Sequence, residues 1–307
     1  MCRLSIIVPY NRDEAAFETT LVSVLENRPE HSEVVVAHDG SYSDPFDLGD
    51  EVRFVVADSG ELVALVQAAV RAAFGRVVHI LHGGARATAG WADEAVELFE
   101  QADLGAVAPV IQDLCSGGRI VAAGWRDDSR GLRRAIAAGA AEPSRRDVAG
   151  IEGVYLAASF WRRSALESLA ELPSGSAPSV VDYLWASALR TAGWRCRVAT
   201  ESRVLASPTL LAPAEGARRA GAAMQAVRSG LKREGAATVA TAAAVAILCR
   251  PLSLSAWSEA LGRLSGASGG ASLARSIRRY AEDASPDASQ PMVLSLPERQ
   301  TTYRRAA

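Results

Sequence analysis

Over the first 110 residues, short β-branched apolar runs alternate with stretches whose apolar positions recur at helical spacing. The predicted strands are residues 4–8, 33–37, 52–57, 77–81 and 106–111. Between them, residues 13–26, 61–74 and 91–101 carry apolar positions three and four apart, such as Leu21, Val24 and Leu25. Strand, helix and strand joined by short connections predict a parallel sheet with crossover helices packed back on it. The loops that follow the strands are then the natural place for a site.

The pattern changes after Val110. Residues 113–119 read as a hairpin turn before a strand at 120–123, and residues 126–152, with Asp127-Asp128 and Arg145-Arg146-Asp147, read as a solvated, mobile surface segment. A strand at 154–158, helices at 161–169 and 179–192, and a strand at 195–199 close a first unit of residues 1–208. Residues 209–284 read as a helical extension: a basic helix at 214–234, an uncharged helix at 236–249, a break at Pro251 and a helix at 255–264. Residues 285–307, Pro-containing and aperiodic, read as a disordered tail.

Composition narrows the function classes. The 307 residues are 49% hydrophobic, enough for one large or two small domains. With 33 Lys+Arg against 35 Asp+Glu there is no basic surplus to neutralise phosphates, which argues against a nucleic-acid partner. Of the basic residues 32 are Arg and only Lys232 is Lys. The four cysteines are widely separated, so a reducing cytoplasm is the expected setting. The apolar run at the N-terminus stops at Pro9, too early for a signal peptide. The uncharged 236–249 stretch falls short of the roughly 20 residues of a membrane span.

Several segments, in order, resemble one family. Leu4-Ser-Ile-Ile-Val-Pro-Tyr-Asn11, then Val34-Val-Val-Ala-His-Asp-Gly-Ser41, Ser59-Gly60, Gln67 through Ala73-Phe-Gly75, Phe160-Trp-Arg-Arg163, and Val181-Asp182 before Leu189-Arg-Thr-Ala-Gly193 resemble family 2 glycosyltransferases, over about residues 3–205. The resemblance implies an α/β, GT-A-type (Rossmann-like) mostly parallel sheet flanked by helices, here with the helical C-terminal extension. It also implies a UDP- or GDP-linked sugar donor, Mg²⁺ or Mn²⁺ on its diphosphate, and a glycan or lipid-linked acceptor, as in polysaccharide biosynthesis. Carried over residue by residue, Pro9, Tyr10, Asn11, Asp39, Gln67 and His82 fall at the nucleotide-sugar site. Tyr10 is placed to stack on a base, and Asp182 falls at the general base of an inverting transfer. The local readings stay open: Pro9–Asn11 and Asp39–Ser41 are also turn residues, and Asp182 also suits the start of a helix.

The family's metal-binding Asp-x-Asp falls on His82-Gly83-Gly84, which has no carboxylate. Three replacements compete. Arginines, namely Arg86, Arg126, Arg130, Arg133 and Arg134, would clamp the diphosphate. His38 and His82 would hold a softer metal, Zn²⁺ or Mn²⁺, with Asp39 as oxygen ligand. Alternatively catalysis is lost and the chain is a binding or scaffold protein. Trp91 and Trp125 read as partial core or as platforms for a sugar ring. The basic helix and its uncharged neighbour, 214–249, read either as packed on the core or as a peripheral contact with the inner membrane surface.

Overall fold

The computed structural model describes residues 2–128, 132–148, 150–172, 178–212, 216–232, 236–249, 251–266, 270–284 and 286. Its first elements are β1 (Leu4–Pro9), α1 (Glu14–Glu26), β2 (Ser32–His38), β3 (Val52–Val56), α2 (Leu62–Ala72) and β4 (Val77–Leu81). There follow β5 (Arg86–Ala87), α3 (Asp93–Leu98), β6 (Leu104–Asp113), β7 (Ile120–Ala122), β8 (Trp125–Asp127), β9 (Arg133–Ala135) and α4 (Arg145–Val148). The core closes with β10 (Ala158–Arg162), α5 (Arg163–Ala170), α6 (Pro178–Thr191) and β11 (Arg195–Ala206). The extension comprises α7 (Ala217–Lys232), α8 (Ala236–Cys249), α9 (Leu254–Gly266) and α10 (Gly270–Asp283).

Among the described residues the main sheet runs β3-β2-β1-β4-β10-β6-β11-β5, with β7 beside β6. The four strands β3, β2, β1 and β4 are mutually parallel, as are β6 and β11, and β10 lies antiparallel between β4 and β6. Period-two alternation sends Leu4, Ile6 and Val8 of β1 to the face covered by α1 and α3, where they meet Phe17, Leu21 and Trp91. Ile7 goes to the opposite face, in one core with Val66 of α2, Leu166 of α5 and Trp185 of α6. Gly75 lets the chain cross under β1: a Cβ there would come within 2.5 Å of Ser5 N.

One buried group makes stability depend on pH. His79, in the middle of β4, is 0% exposed and packs against Phe160 at 3.8 Å and Trp91 at 4.6 Å between ring centroids. Burial pushes its pKa well below the ordinary imidazole value, so the ring is neutral in the folded state. The unfolded chain binds a proton below pH ~6.5, so stability conferred by the neutral ring is complete above that pH and falls as the pH drops. The loss from this ring is expected to grow as the pH falls from 7.5 to 5.5. Urea midpoints at pH 7.5 and 5.5 check this, and His79→Leu should remove one proton's share of the difference.

The structure corrects three sequence expectations. Residues 126–152 are not a solvated loop in their described part. Trp125 is fully buried and stacked on Tyr183 (5.2 Å, 16°), and Leu132, Ile136 and Ile151 are buried with it, so apolar residues interleaved with the charges anchor the segment. The strand expected at 154–158 begins at Ala158, because Tyr155 to Ala157 turn into the sheet and only then pair with β4. For the 214–234 helix the structure agrees with the packed reading: α7 buries Ala220, Met224 and Val227 in the main core. The stretch after Ser265, for which no helix is predicted, contains α10, which buries Ala274, Ile277 and Tyr280. Of the expected tail at 285–307, all but Pro286 lies outside the described residues.

Candidate functional site

The parallel strands β1, β2 and β4 all end at one edge of the sheet, and the loops that follow converge there. Tyr10 N donates to Ala37 O at 2.8 Å, locking the β1 exit to β2. Arg12, held at φ 70°, turns its guanidinium back to Asp39: Nε and Nη2 donate to Oδ2 at 3.0 and 2.5 Å. The Ser41 hydroxyl and N–H donate to Oδ1 at 2.5 and 3.2 Å. The Ser41 hydroxyl first, and Arg12 after it, hold the Asp39 carboxyl far below the usual carboxylate range. Gly60 leaves the space this carboxylate occupies, since a Cβ there would lie 2.8 Å from Oδ2.

His82 follows β4. Its Nδ1 lies 3.1 Å from Gly83 O and its Nε2 lies 3.4 Å from Asn11 Nδ2, so with Nδ1 donating, Nε2 accepts from the Asn11 amide. Burial lowers its pKa and keeps the ring neutral. The two glycines fold this loop onto α1: Gly84 N donates to Ala16 O (3.0 Å) and Thr20 Oγ1 (2.9 Å), and a Cβ at Gly83 would press on Phe17 N at 3.3 Å. A hard cation therefore does not fit here, since no side-chain oxygen is offered where the Asp-x-Asp would stand.

Asp182, near the start of α6, is 6% exposed. Leu156 N donates to its Oδ1 at 2.7 Å, and Arg133 Nη2 to its Oδ2 at 2.9 Å. Arg133 lies over the rings of Trp125 and Tyr155, 4.6 Å from each, and its Nη1 donates to Ser179 O at 3.2 Å. The next residue after Leu156 ties this carboxylate to the strand edge: His82 N donates to Ala157 O at 2.8 Å. Asn11, His82, the 156–157 segment and Asp182 thus form a continuous line of contacts along the sheet edge. A cleft of about 560 Å³ opens beside Arg133, between Tyr155 and Ser179 on one side and Ala217, Met224, Ser255 and Glu259 of the extension on the other.

Asp127 was read as solvated, yet its side chain is 4% exposed and its Oδ2 accepts from Tyr183 Oη at 2.7 Å and from Arg228 Nη1 at 2.6 Å. The network joins β8, α6 and α7 through Tyr183, the residue that follows Asp182. Burial, reinforced by the Asp127 charge, pushes the Tyr183 phenol far up, so it remains a proton donor to Asp127.

The structure brings Pro9, Asn11, Asp39 and His82 together at one edge and places Asp182 and Arg133 next along it. Other expectations are corrected. Tyr10 cannot stack on a base, because its ring is buried against Phe17 (5.2 Å) and Tyr42 (4.9 Å). Gln67 is turned away to α5, donating to Ala170 O. His38 accepts the Gly40 N–H at Nδ1 (3.2 Å) and packs on Tyr42 and Phe54, which leaves it turned into the core rather than toward His82. Among the described residues no three His, Cys, Asp or Glu cluster as metal ligands. Arg133 serves Asp182 rather than standing free for a diphosphate, and Arg134 pairs with Asp128 at 3.2 Å on an exposed surface. Arg130 lies outside the described residues. Trp91 and Trp125 are fully buried, so neither is a sugar platform. Arg12, which directly follows Pro9-Tyr10-Asn11, joins the site without any sequence signal beyond that adjacency.

No protein-family model matches the sequence, and no curated protein matches it significantly. Among solved structures, the chain is similar to S. aureus TarS, with a TM-score of 0.52 and 14% identity over 82% of this chain and 44% of that one. It is also similar to GalNAc-T7, in its crystal structure with UDP, GalNAc and Mn²⁺, with a TM-score of 0.51 and 13% identity over 67% of this chain and 43% of that one. The chain thus spans less than half the length of either. No helix among the described residues is long and apolar enough to cross a membrane. The curled mixed sheet, flanked by helices on both faces, is a GT-A-type fold.

Proposed function

We propose that this chain is a glycosyltransferase that moves a sugar from a UDP- or GDP-linked donor to a glycan or lipid-linked acceptor with inversion. What supports the reading is the line of contacts from Asn11 through His82 and Ala157 to Asp182, which joins the edge where β1, β2 and β4 end to a buried carboxylate. In this mechanism Asp39 accepts from an N–H on the base edge in exchange for one of its four donors from Arg12 and Ser41, and the 9–11 turn shapes the nucleotide pocket. Asp182 takes the proton of the acceptor hydroxyl as its oxygen bonds to the anomeric carbon, and the bond to the diphosphate breaks on the opposite face. Arg12, 70% exposed beside Asp39, is the cation at the donor edge in place of the missing metal ligands. Arg133 positions Asp182, and an acceptor hydroxyl reaches Oδ2 by sharing or displacing that guanidinium.

A second reading, a non-catalytic binding or scaffold protein, draws on one observation: both Asp182 oxygens are already engaged. Calorimetry with UDP- and GDP-sugars, with and without Mn²⁺, tests nucleotide recognition, which both readings allow. One donor class is expected to bind without Mn²⁺, and Asp39→Ala to weaken it about tenfold or more, as for loss of a charge-assisted hydrogen bond. Absence of binding by both classes under either condition would defeat the proposal.

A further inference from the structure

Six of the eleven large apolar side chains exposed among the described residues lie between positions 248 and 264: Leu248 (75%), Leu252 (99%), Leu254 (85%), Trp257 (48%), Leu261 (56%) and Leu264 (52%). Leu254, Trp257, Leu261 and Leu264 follow 3-4-3 spacing and form one stripe on α9. Its other face is pressed so closely on α7 that a Cβ at Gly262 would collide with Arg218 O. The stripe therefore cannot turn inward. In residues 236–266 the sequence has three charges, Arg250, Glu259 and Arg263. Arg250 is outside the described residues, while Arg263 is 1% exposed and pairs with Glu259 at 2.9 Å. A contiguous apolar ledge of this kind marks an interaction surface.

Charge identifies what it meets. Residues 209–284 hold ten Arg and Lys against five Asp and Glu, whereas residues 1–208 hold twenty against twenty-eight. The extension is thus the basic end of an otherwise acidic molecule. Arg218 and Arg219, exposed at the start of α7, flank α9, and Arg275, Arg278 and Arg279 are exposed on α10. An uncharged ledge of Leu and Trp with Arg218 and Arg219 beside it, on the basic part of the chain, fits the headgroup layer of an anionic lipid surface, where the apolar side chains enter the acyl boundary and the arginines meet the lipid charge. We propose that the α8–α9 corner docks on anionic lipid.

The ledge adjoins the cleft. Ser255 and Glu259 of α9 line the same opening as Arg133, the partner of Asp182. A lipid-linked acceptor anchored under Leu252 and Leu254 would present its headgroup to that cleft. This choice of acceptor rests on the glycosyltransferase reading, but the lipid contact itself does not.

The test is co-sedimentation of the full chain, without donor, with vesicles of phosphatidylcholine alone or with 30% phosphatidylglycerol. Binding to the anionic vesicles only is expected, with Leu252→Asp/Trp257→Asp lowering the partition coefficient at least about tenfold at unchanged thermal midpoint. Nucleotide-sugar calorimetry on the same variant should match the parent, which separates failure of the ledge from failure of the enzyme reading. Equal sedimentation with neutral vesicles, no sedimentation, or a dimer in ultracentrifugation that the double variant dissolves would each overturn the proposal, the last by making the ledge a contact between copies.

Discussion

Asp182→Asn is expected to lower the turnover of sugar transfer about 10²- to 10⁴-fold while leaving the dissociation constant for the nucleotide-sugar within twofold. The amide keeps the shape of the side chain and still accepts from Leu156 N, which donates at 2.7 Å, so the 156–157 segment and its bond to His82 persist. What disappears is the capacity to take a proton. Both variants take the carboxylate charge from Arg133, whose side chain is 12% exposed, so the thermal midpoint of each is read beside its rate; Asp182→Ala is the poorer test because it also removes the acceptor of Leu156 N. Initial rates with the best-binding donor, beside calorimetry on the same preparation, separate the effects. Turnover unchanged in Asp182→Asn would remove this residue from the chemistry, and no turnover in the parent on a broad donor and acceptor panel would favour the scaffold reading.

Asp127→Ala is expected to destabilise the protein by about 3–5 kcal/mol. It takes from Arg228, whose side chain is 8% exposed, a carboxylate at 2.6 Å, and from the Tyr183 hydroxyl an acceptor at 2.7 Å. The pair Asp127→Ala/Arg228→Met should recover most of the loss, because what destabilises is an uncompensated buried charge and not the absence of an ion pair. Urea unfolding of the three variants checks this. A cost below about 1 kcal/mol for the single variant would mean that water reaches the pair.

Much of the fold is legible in the sequence because its cause is local. β1, β2 and β4 are apolar runs ended by Pro9, by Asp39-Gly40 and by Gly83-Gly84, and the structure has strands at those places. Asp39 and Asp182 are named by the resemblance, at positions that on local grounds also suit a turn and the start of a helix. What escaped depends on distant partners. Asp127 looks solvated beside Asp128, and only the arrival of Arg228 from 101 residues along the chain makes it a buried charge. Tyr10 reads as a pocket residue until Tyr42 and Phe17 enclose it, and Gln67 until α5 supplies the Ala170 carbonyl. α10 was missed because Gly and Ser weaken helix propensity, whereas its apolar face is fixed by packing on α6 and α7.

The placement of β10 has a consequence for synthesis. Val77–Leu81 are all buried, yet one side of β4 is covered only by a strand that ends at Arg162, some eighty residues later. At a translation rate of about 5–20 residues per second, that edge stays open for roughly 4–16 s on the ribosome. An apolar strand with unpaired N–H and C=O groups is a template for another chain during that interval. Crowded expression should therefore favour aggregates nucleated at β4, and slower initiation, which spaces nascent chains apart, should raise the soluble yield more than any change to the finished surface.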